Sequence, residues 1–253
     1  MDQINSYNRA IRLNNEGVEF IESCQYDRAI TILLSATQVI KEELASDKRS
    51  NRDPCSRNHH CQNGVSSSTT PEEMVDQCAL HTTDCDFRET ALPQFLDNRH
   101  SSSSCSATSR PRFVFRFPIN ARPSETPCFV KLSIIALYNL ALSFHLRAIE
   151  SSNKAMLSKA LMLYECTYQV QVEEQVELCF VHPLAIINNV GHIHALLNHH
   201  DQAALSFGHL LSIMLCFIDQ SIGCTDEAAE TWDGFMSNVF ELMLKTPSPA
   251  AAA

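Results

Sequence analysis

A repeated spacing of small residues and asparagines is the feature that most restricts how this chain can fold. Three segments align, and in each an apolar residue stands four positions, and an asparagine two positions, before a glycine or alanine: residues 13–17, 137–141 and 187–191. A further small residue follows downstream, at Ala29, Ala160 and Ala203. Because small residues that face each other across two helices let the backbones approach closely, the pattern predicts repeated helix pairs.

The sequence on both sides of a polar central stretch is typical of α-helix. Apolar residues recur there at three and four positions, and proline is nearly absent from the interior. We predict seven helices, at roughly 3–22, 26–44, 128–150, 154–175, 183–198, 201–219 and 226–244. Helices joined by short turns pack antiparallel, so the fold class is all-α. The first pair occupies 1–45, two further pairs with a capping helix occupy 127–245, and a disordered tail covers 246–253.

The central stretch, residues 46–126, has a different composition. Runs of serine with scattered Asp, Asn, Arg and Pro leave few apolar residues in any periodic order, so we predict a long, mostly disordered insert. One part, residues 112–119, alternates and places Phe113, Phe115 and Phe117 on one side, as an extended strand would. We expect this part to dock on the helical body.

The aligned units resemble the tetratricopeptide repeat (TPR), a helix pair of about 34 residues. The likeness is carried by Asn15-Glu16-Gly17 with Tyr26 and Ala29, by Asn139-Leu140-Ala141, and by Asn189-Val190-Gly191 with Ala203 and Phe207. Residues 136–146 also look like poorly characterised TPR-like proteins of diatom algae. The resemblance implies antiparallel pairs that form a short right-handed superhelix, whose inner helices line a concave groove for peptides.

Three asparagines, Asn15, Asn139 and Asn189, are the candidate partner-binding residues. If the repeats stack, they recur at one height along the inner helices, and a carboxamide both donates to and accepts from an extended peptide backbone. The other interpretation is that each asparagine bonds a neighbouring helix. We therefore predict a non-catalytic scaffold for protein–protein interaction that binds a peptide or a helical partner. The sequence specifies neither that partner nor the oligomeric state.

Composition argues against several other classes of protein. The net charge is -10, with 19 basic and 29 acidic residues, which disfavours nucleic acid. No window approaches the roughly 20 apolar residues that span a bilayer, so we expect no membrane contact and a cytoplasmic or nuclear protein. The six glycines lie far apart and form no phosphate loop, and no catalytic signature is present. We predict no enzyme activity and no cofactor.

A rival hypothesis places function in the insert, which holds the densest group of metal-ligating residues in the chain. The members are Cys55, His59, His60, Cys61, Cys78, His81 and Cys85. Their spacing misses the tight ligand pairs of zinc modules, and the odd total of 11 cysteines favours reduced thiols, so we assign no metal site. A metal-binding or redox-regulated protein remains the alternative.

Overall fold

A computed structural model describes residues 2–50, 113–124, 126–176, 178, 181–218 and 226–245. This part of the chain contains seven α-helices and no strand, which confirms the predicted all-helical class. The helices are α1 (Asp2–Glu22), α2 (Tyr26–Ser50), α3 (Phe129–Ser151), α4 (Lys154–Glu173), α5 (Val181–Leu196), α6 (His200–Ile218) and α7 (Asp226–Lys245). The disorder predicted for most of the insert and for the tail 246–253 lies outside the described residues.

The predicted end of α2 at residue 44 is wrong. The helix continues to Ser50, six residues beyond the predicted end. The added residues, 45–50, are mostly polar, and the loss of apolar periodicity after residue 44 suggested an end. Ala, Lys and Arg nevertheless have favourable helix propensity, and a polar helical turn does not require burial.

The three helix pairs turn in the same way. In each turn one residue adopts the left-handed conformation, at Cys24 (φ 57°), Ser152 (φ 53°) and Asn198 (φ 62°). The amide of the following residue then donates to a carbonyl five positions earlier, as in Gln25 to Phe20 at 2.8 Å and His199 to His194 at 2.8 Å. This bond satisfies a backbone carbonyl that would otherwise lack a partner at the helix end. Because the turns are short, α1–α2, α3–α4 and α5–α6 pack as antiparallel neighbours.

The small residues of the repeat lie where the helices of a pair are closest. A Cβ added to Gly17 would stand 2.6 Å from Cγ of Leu33, and one added to Gly191 would stand 2.8 Å from Cε1 of Phe207. The downstream alanines are buried as well: Ala29, Ala160 and Ala203. The predicted close approach of the two backbones therefore depends on the absence of a side chain at these positions.

The pairs also pack against one another, with α2 against α3, α4 against α5 and α6 against α7. One main core runs through all of them, and its largest fully buried side chains include Tyr138, Tyr164, Phe207 and Phe235. Helix α3 is the only helix in the described part of the chain that is long and apolar enough to cross a membrane, but 89% of that window is buried inside the protein. Its apolar character is explained by its central position in the core.

The close contact at Gly17 leads to a stability prediction. Gly17→Ala should lower the free energy of unfolding by about 1–2 kcal/mol, because overpacking against Leu33 costs more than the gain in helix propensity. Gly208→Ala is the matched control, since Gly208 is exposed in α6 and an added Cβ meets nothing within 4 Å. It should raise stability by up to about 1 kcal/mol. Urea unfolding followed by circular dichroism measures both, and equal shifts would contradict the proposed packing.

Candidate functional site

Residues 113–121, which we call the internal segment, lie in extended form against the helices. The segment has no regular secondary structure of its own. Val114, Phe115 and Ala121 are buried, and Phe113 and Ile119 are partly buried against the core. The segment is therefore part of the folded body, although it comes from a region whose composition is typical of disorder.

Four asparagines from four different helices hold the backbone of the internal segment. Each one accepts a hydrogen bond from the N–H of a segment residue, at 2.8–3.0 Å, and donates to the carbonyl of the same residue, at 2.7–3.0 Å. Asn238 of α7 binds Phe113, Asn189 of α5 binds Phe115, Asn139 of α3 binds Ile119, and Asn15 of α1 binds Ala121. We call these four residues the asparagine row.

The order of these contacts sets a direction and a spacing. The segment runs from α7 towards α1, opposite to the order of the helices, in steps of two, four and two residues. Eight extended residues span roughly 26 Å at about 3.3 Å each. The step between Phe115 and Ile119, which bridges α5 and α3 and which we call the long step, is twice as long as the other two steps.

Neighbouring polar residues support the asparagine row. Asn14 donates to the Ile119 carbonyl at 3.1 Å and accepts from Asn139 at 2.9 Å. Asn188 donates to the Phe113 carbonyl at 3.2 Å and accepts from Asn238 at 2.7 Å. In both cases, the asparagine that stands directly before one row member in sequence bonds the following row member, which lies on another helix. This fixes the orientation of each carboxamide, so that donor and acceptor face the segment correctly.

Two buried tyrosines complete the site. The Tyr138 hydroxyl donates to the carbonyl of Phe117 at 3.3 Å, within the long step, and the Tyr164 hydroxyl accepts from Asn189 at 3.0 Å. Burial raises the pKa of both hydroxyls, and for Tyr138 the neighbouring Tyr164 raises it further. Both hydroxyls therefore stay protonated, and Tyr138 is held in its donor form.

The structure brings the three predicted residues, Asn15, Asn139 and Asn189, into one row, where they contact the chain's own segment. Binding of a separate partner stays a prediction. Asn139 also bonds another helix through Asn14, so part of the alternative interpretation holds as well. Sequence reasoning missed Asn14, Asn188 and Asn238. Two signals pointed to them: the Asn-Asn pair recurs at 14–15 and 188–189, and Asn238 follows Asn189 by 49 positions, close to the 50 between Asn139 and Asn189.

The predicted one-sided arrangement of the three phenylalanines is wrong for Phe117. Its side chain is 62% exposed, whereas Phe115 is 9% exposed, and the intervening Val114 is buried as well. Strict alternation assumes that a strand meets one flat sheet. Here the segment crosses separate helices, and Phe117 faces outwards in the middle of the long step between Phe115 and Ile119.

A second buried polar group lies next to the row. His145 Nε2 and His192 Nδ1 are 3.0 Å apart, and the His145 ring contacts the edge of Tyr164. Burial lowers the pKa of His145 well below its usual range, and His192 lowers it further. His182 bonds Gln171 at 2.9 Å, and burial lowers its pKa to about 4. The His145 and His182 rings are therefore neutral in the folded protein near pH 7.

This burial predicts a loss of stability in acid. Unfolded histidine titrates near 6.5, above the folded pKa of His182, so the unfolded chain binds more protons below that pH. Above about pH 6.5, His182 is neutral in both the folded and the unfolded chain and does not lower the free energy of unfolding. As the pH drops towards 4, the free energy of unfolding falls, by about 3 kcal/mol at most. Urea unfolding between pH 7.5 and 4.5 tests this. His182→Gln should show a smaller loss than the unaltered chain, and parallel curves would contradict it.

Within the described ranges, no group of three or more His, Cys, Asp or Glu side chains could hold a metal ion. The Cys/His group of the alternative hypothesis, residues 55–85, lies outside those ranges. No protein-family model, curated protein or solved structure matches this chain. The function of this chain is therefore inferred from the contacts between the asparagine row and the internal segment.

Proposed function

We propose that this protein is a non-catalytic interaction scaffold, built from TPR-like helix pairs, that binds an extended segment of a partner protein. The partner segment would bind in the groove, by which we mean the surface along the asparagine row where the internal segment lies. The observation that carries the proposal is the paired hydrogen bonding of four asparagines to the backbone of residues 113–121. Each helix pair contributes one asparagine, and α7 adds the fourth. The proposal includes the right-handed superhelix that the resemblance to TPR proteins implies.

The chemistry of the contacts supports this function. A carboxamide that bonds both the N–H and the carbonyl of one residue recognises the backbone, which any extended peptide offers except where proline removes the N–H. Four such contacts in a row specify an extended conformation, while the side chains between them provide selectivity. A row of carboxamides does no acid–base or nucleophilic chemistry, in keeping with a binding role.

The internal segment occupies this groove, so a partner segment must exchange with it. The two compete for the same asparagines, and an alteration of the groove weakens both equally. A clean test must first weaken the internal segment without touching the groove. Ile119→Pro does this, because proline removes the N–H that donates to Asn139 at 2.8 Å. Asn120→Pro is the matched control, since residue 120 is exposed and lies between two anchored residues.

The test is a selection of peptides from a displayed random library on the full-length Ile119→Pro chain. Selected peptides should bind that chain and should bind Ile119→Pro/Asn238→Ala about 30-fold more weakly, because two hydrogen bonds of about 1 kcal/mol each are lost. Circular dichroism checks that both chains are folded. If no peptide is enriched, or if the loss of Asn238 leaves the affinity unchanged, the groove is not a peptide-binding site.

A further inference from the structure

We infer that the groove selects partner segments with the side-chain pattern of the internal segment. This pattern is three consecutive apolar residues with aromatics first and third, three unrestricted residues, an aliphatic residue, one unrestricted residue and a small residue. The inference rests on the proposed function and goes further, because it states which segments bind and in which direction. It follows from what the groove requires at each position of residues 113–121.

The end of the groove at α7 is shaped for aromatic side chains. A Cβ added to Gly234 would stand 2.5 Å from Cδ2 of Phe113, so this helix lacks a side chain where the Phe113 ring lies. The ring of Phe235 contacts both aromatic rings of the segment. It makes an edge-to-face contact with Phe113, at 5.7 Å between ring centroids, and stacks on Phe115 at 5.9 Å. Such ring pairs contribute more than their buried area alone. An aromatic residue is therefore favoured at the first and third positions.

The end of the groove at α1 favours small and aliphatic side chains. Ala121 is buried in a cluster that includes Tyr7 and Phe129, whose rings meet edge to face at 5.3 Å. Ile119 is partly buried and packs against this cluster and the main core. Because Ala121 is only 4% exposed, a bulky residue in its place would have to displace its buried neighbours, which costs more free energy than its own burial contributes.

The positions between the anchors carry no such requirement. Arg116, Phe117 and Asn120 are exposed, and the Phe117 ring contacts Phe115 of the segment itself. Pro118 lies inside the long step, at a position where no asparagine needs an N–H. The groove therefore excludes proline at the first, third, seventh and ninth positions of a ligand and tolerates it at the sixth.

A partner segment must compete with the internal segment for the groove, so the internal segment weakens the apparent affinity for a partner. It is joined to α3 through residues 122–128, which keeps it near the groove at an effective concentration in the millimolar range. A free peptide of the same sequence should therefore bind the unaltered chain weakly. It should bind at least about tenfold more tightly once the internal segment is weakened.

The probe is a fluorescent peptide with the sequence of residues 110–124, titrated into three full-length proteins. Binding to Ile119→Pro should be at least about tenfold tighter than to the unaltered chain and to the Asn120→Pro control. In the peptide, an ester that replaces the N–H at the position of Phe115 or Ile119 should weaken binding about tenfold. An ester at the position of Arg116 or Asn120 should change it little, and phenylalanine at the position of Ala121 should abolish binding.

The outcomes separate this inference from the proposed function. If library peptides of unrelated pattern bind Ile119→Pro and this peptide does not, the groove binds peptides but the inferred pattern is wrong. Equal effects of all esters would also overturn it. Should Ile119→Pro fail to fold, a peptide with a photo-reactive benzoylphenylalanine at the position of Phe115 is added in excess to the unaltered chain. Cross-links at α7 around Phe235 support the inference, and cross-links confined to other helices contradict it.

Discussion

Asn139→Ala is expected to lower the free energy of unfolding by about 3–5 kcal/mol, a large effect for a single polar substitution. Asn139 is fully buried and accepts from the Ile119 N–H at 2.8 Å, donates to the Ile119 carbonyl at 2.8 Å and donates to Asn14 at 2.9 Å. Alanine removes three hydrogen bonds and leaves the Ile119 N–H and Asn14 Oδ1 without this partner, while the Ile119 carbonyl keeps its bond from Asn14. Urea unfolding followed by circular dichroism measures the loss.

Two further variants show whether the loss comes from paired hydrogen bonds. Asn139→Asp keeps the shape but has no N–H donor and introduces a buried charge, so at pH 7 it should destabilise at least as much as alanine does. Asn8→Ala, at an exposed position of α1, should change stability by less than about 0.5 kcal/mol. A loss below about 1 kcal/mol for Asn139→Ala would mean that the internal segment is not held as the structure describes.

Much of the helical body follows from local sequence patterns. Apolar periodicity predicted the helices, because each buries one face against its neighbours, and the small residues predicted the close approach within a pair. The alignment of repeats also brought Asn15, Asn139 and Asn189 together. The alignment missed Asn238 because Phe240 stands two positions after it, where the aligned units have a Gly or Ala.

The register of the internal segment could not be predicted, because it depends on distances between helices. Extended chain advances about 3.3 Å per residue, so the number of segment residues between two anchors is set by how far apart the anchoring helices lie. One step is longer than the others, and nothing local in the sequence shows that it falls between Phe115 and Ile119. The contact of His145 with His192 could not be predicted for the same reason, because it depends on how two helices pack and joins residues 47 positions apart in sequence.

The position of the long step gives the second large prediction. Phe115→Ala should lower the free energy of unfolding by about 3–5 kcal/mol, whereas Phe117→Ala should lower it by about 1 kcal/mol at most, through its edge contact with Phe115 at 5.3 Å between ring centroids. Phe115 is 9% exposed and packs on Phe235, so its removal leaves a cavity between the segment and α7. Phe117 is 62% exposed, and the bond from Tyr138 is made to its backbone carbonyl, which alanine keeps.

The pair of substitutions is matched, because the same atoms are removed two positions apart in one segment. An alternating strand with one buried face, as the sequence suggested, would give both variants similar losses. Urea unfolding of the two variants beside the unaltered chain therefore distinguishes the two arrangements of the segment. A large loss for Phe117→Ala, or a small one for Phe115→Ala, would place the long step elsewhere. It would also change the pattern expected of a partner, since the unrestricted positions are those that the long step turns towards solvent.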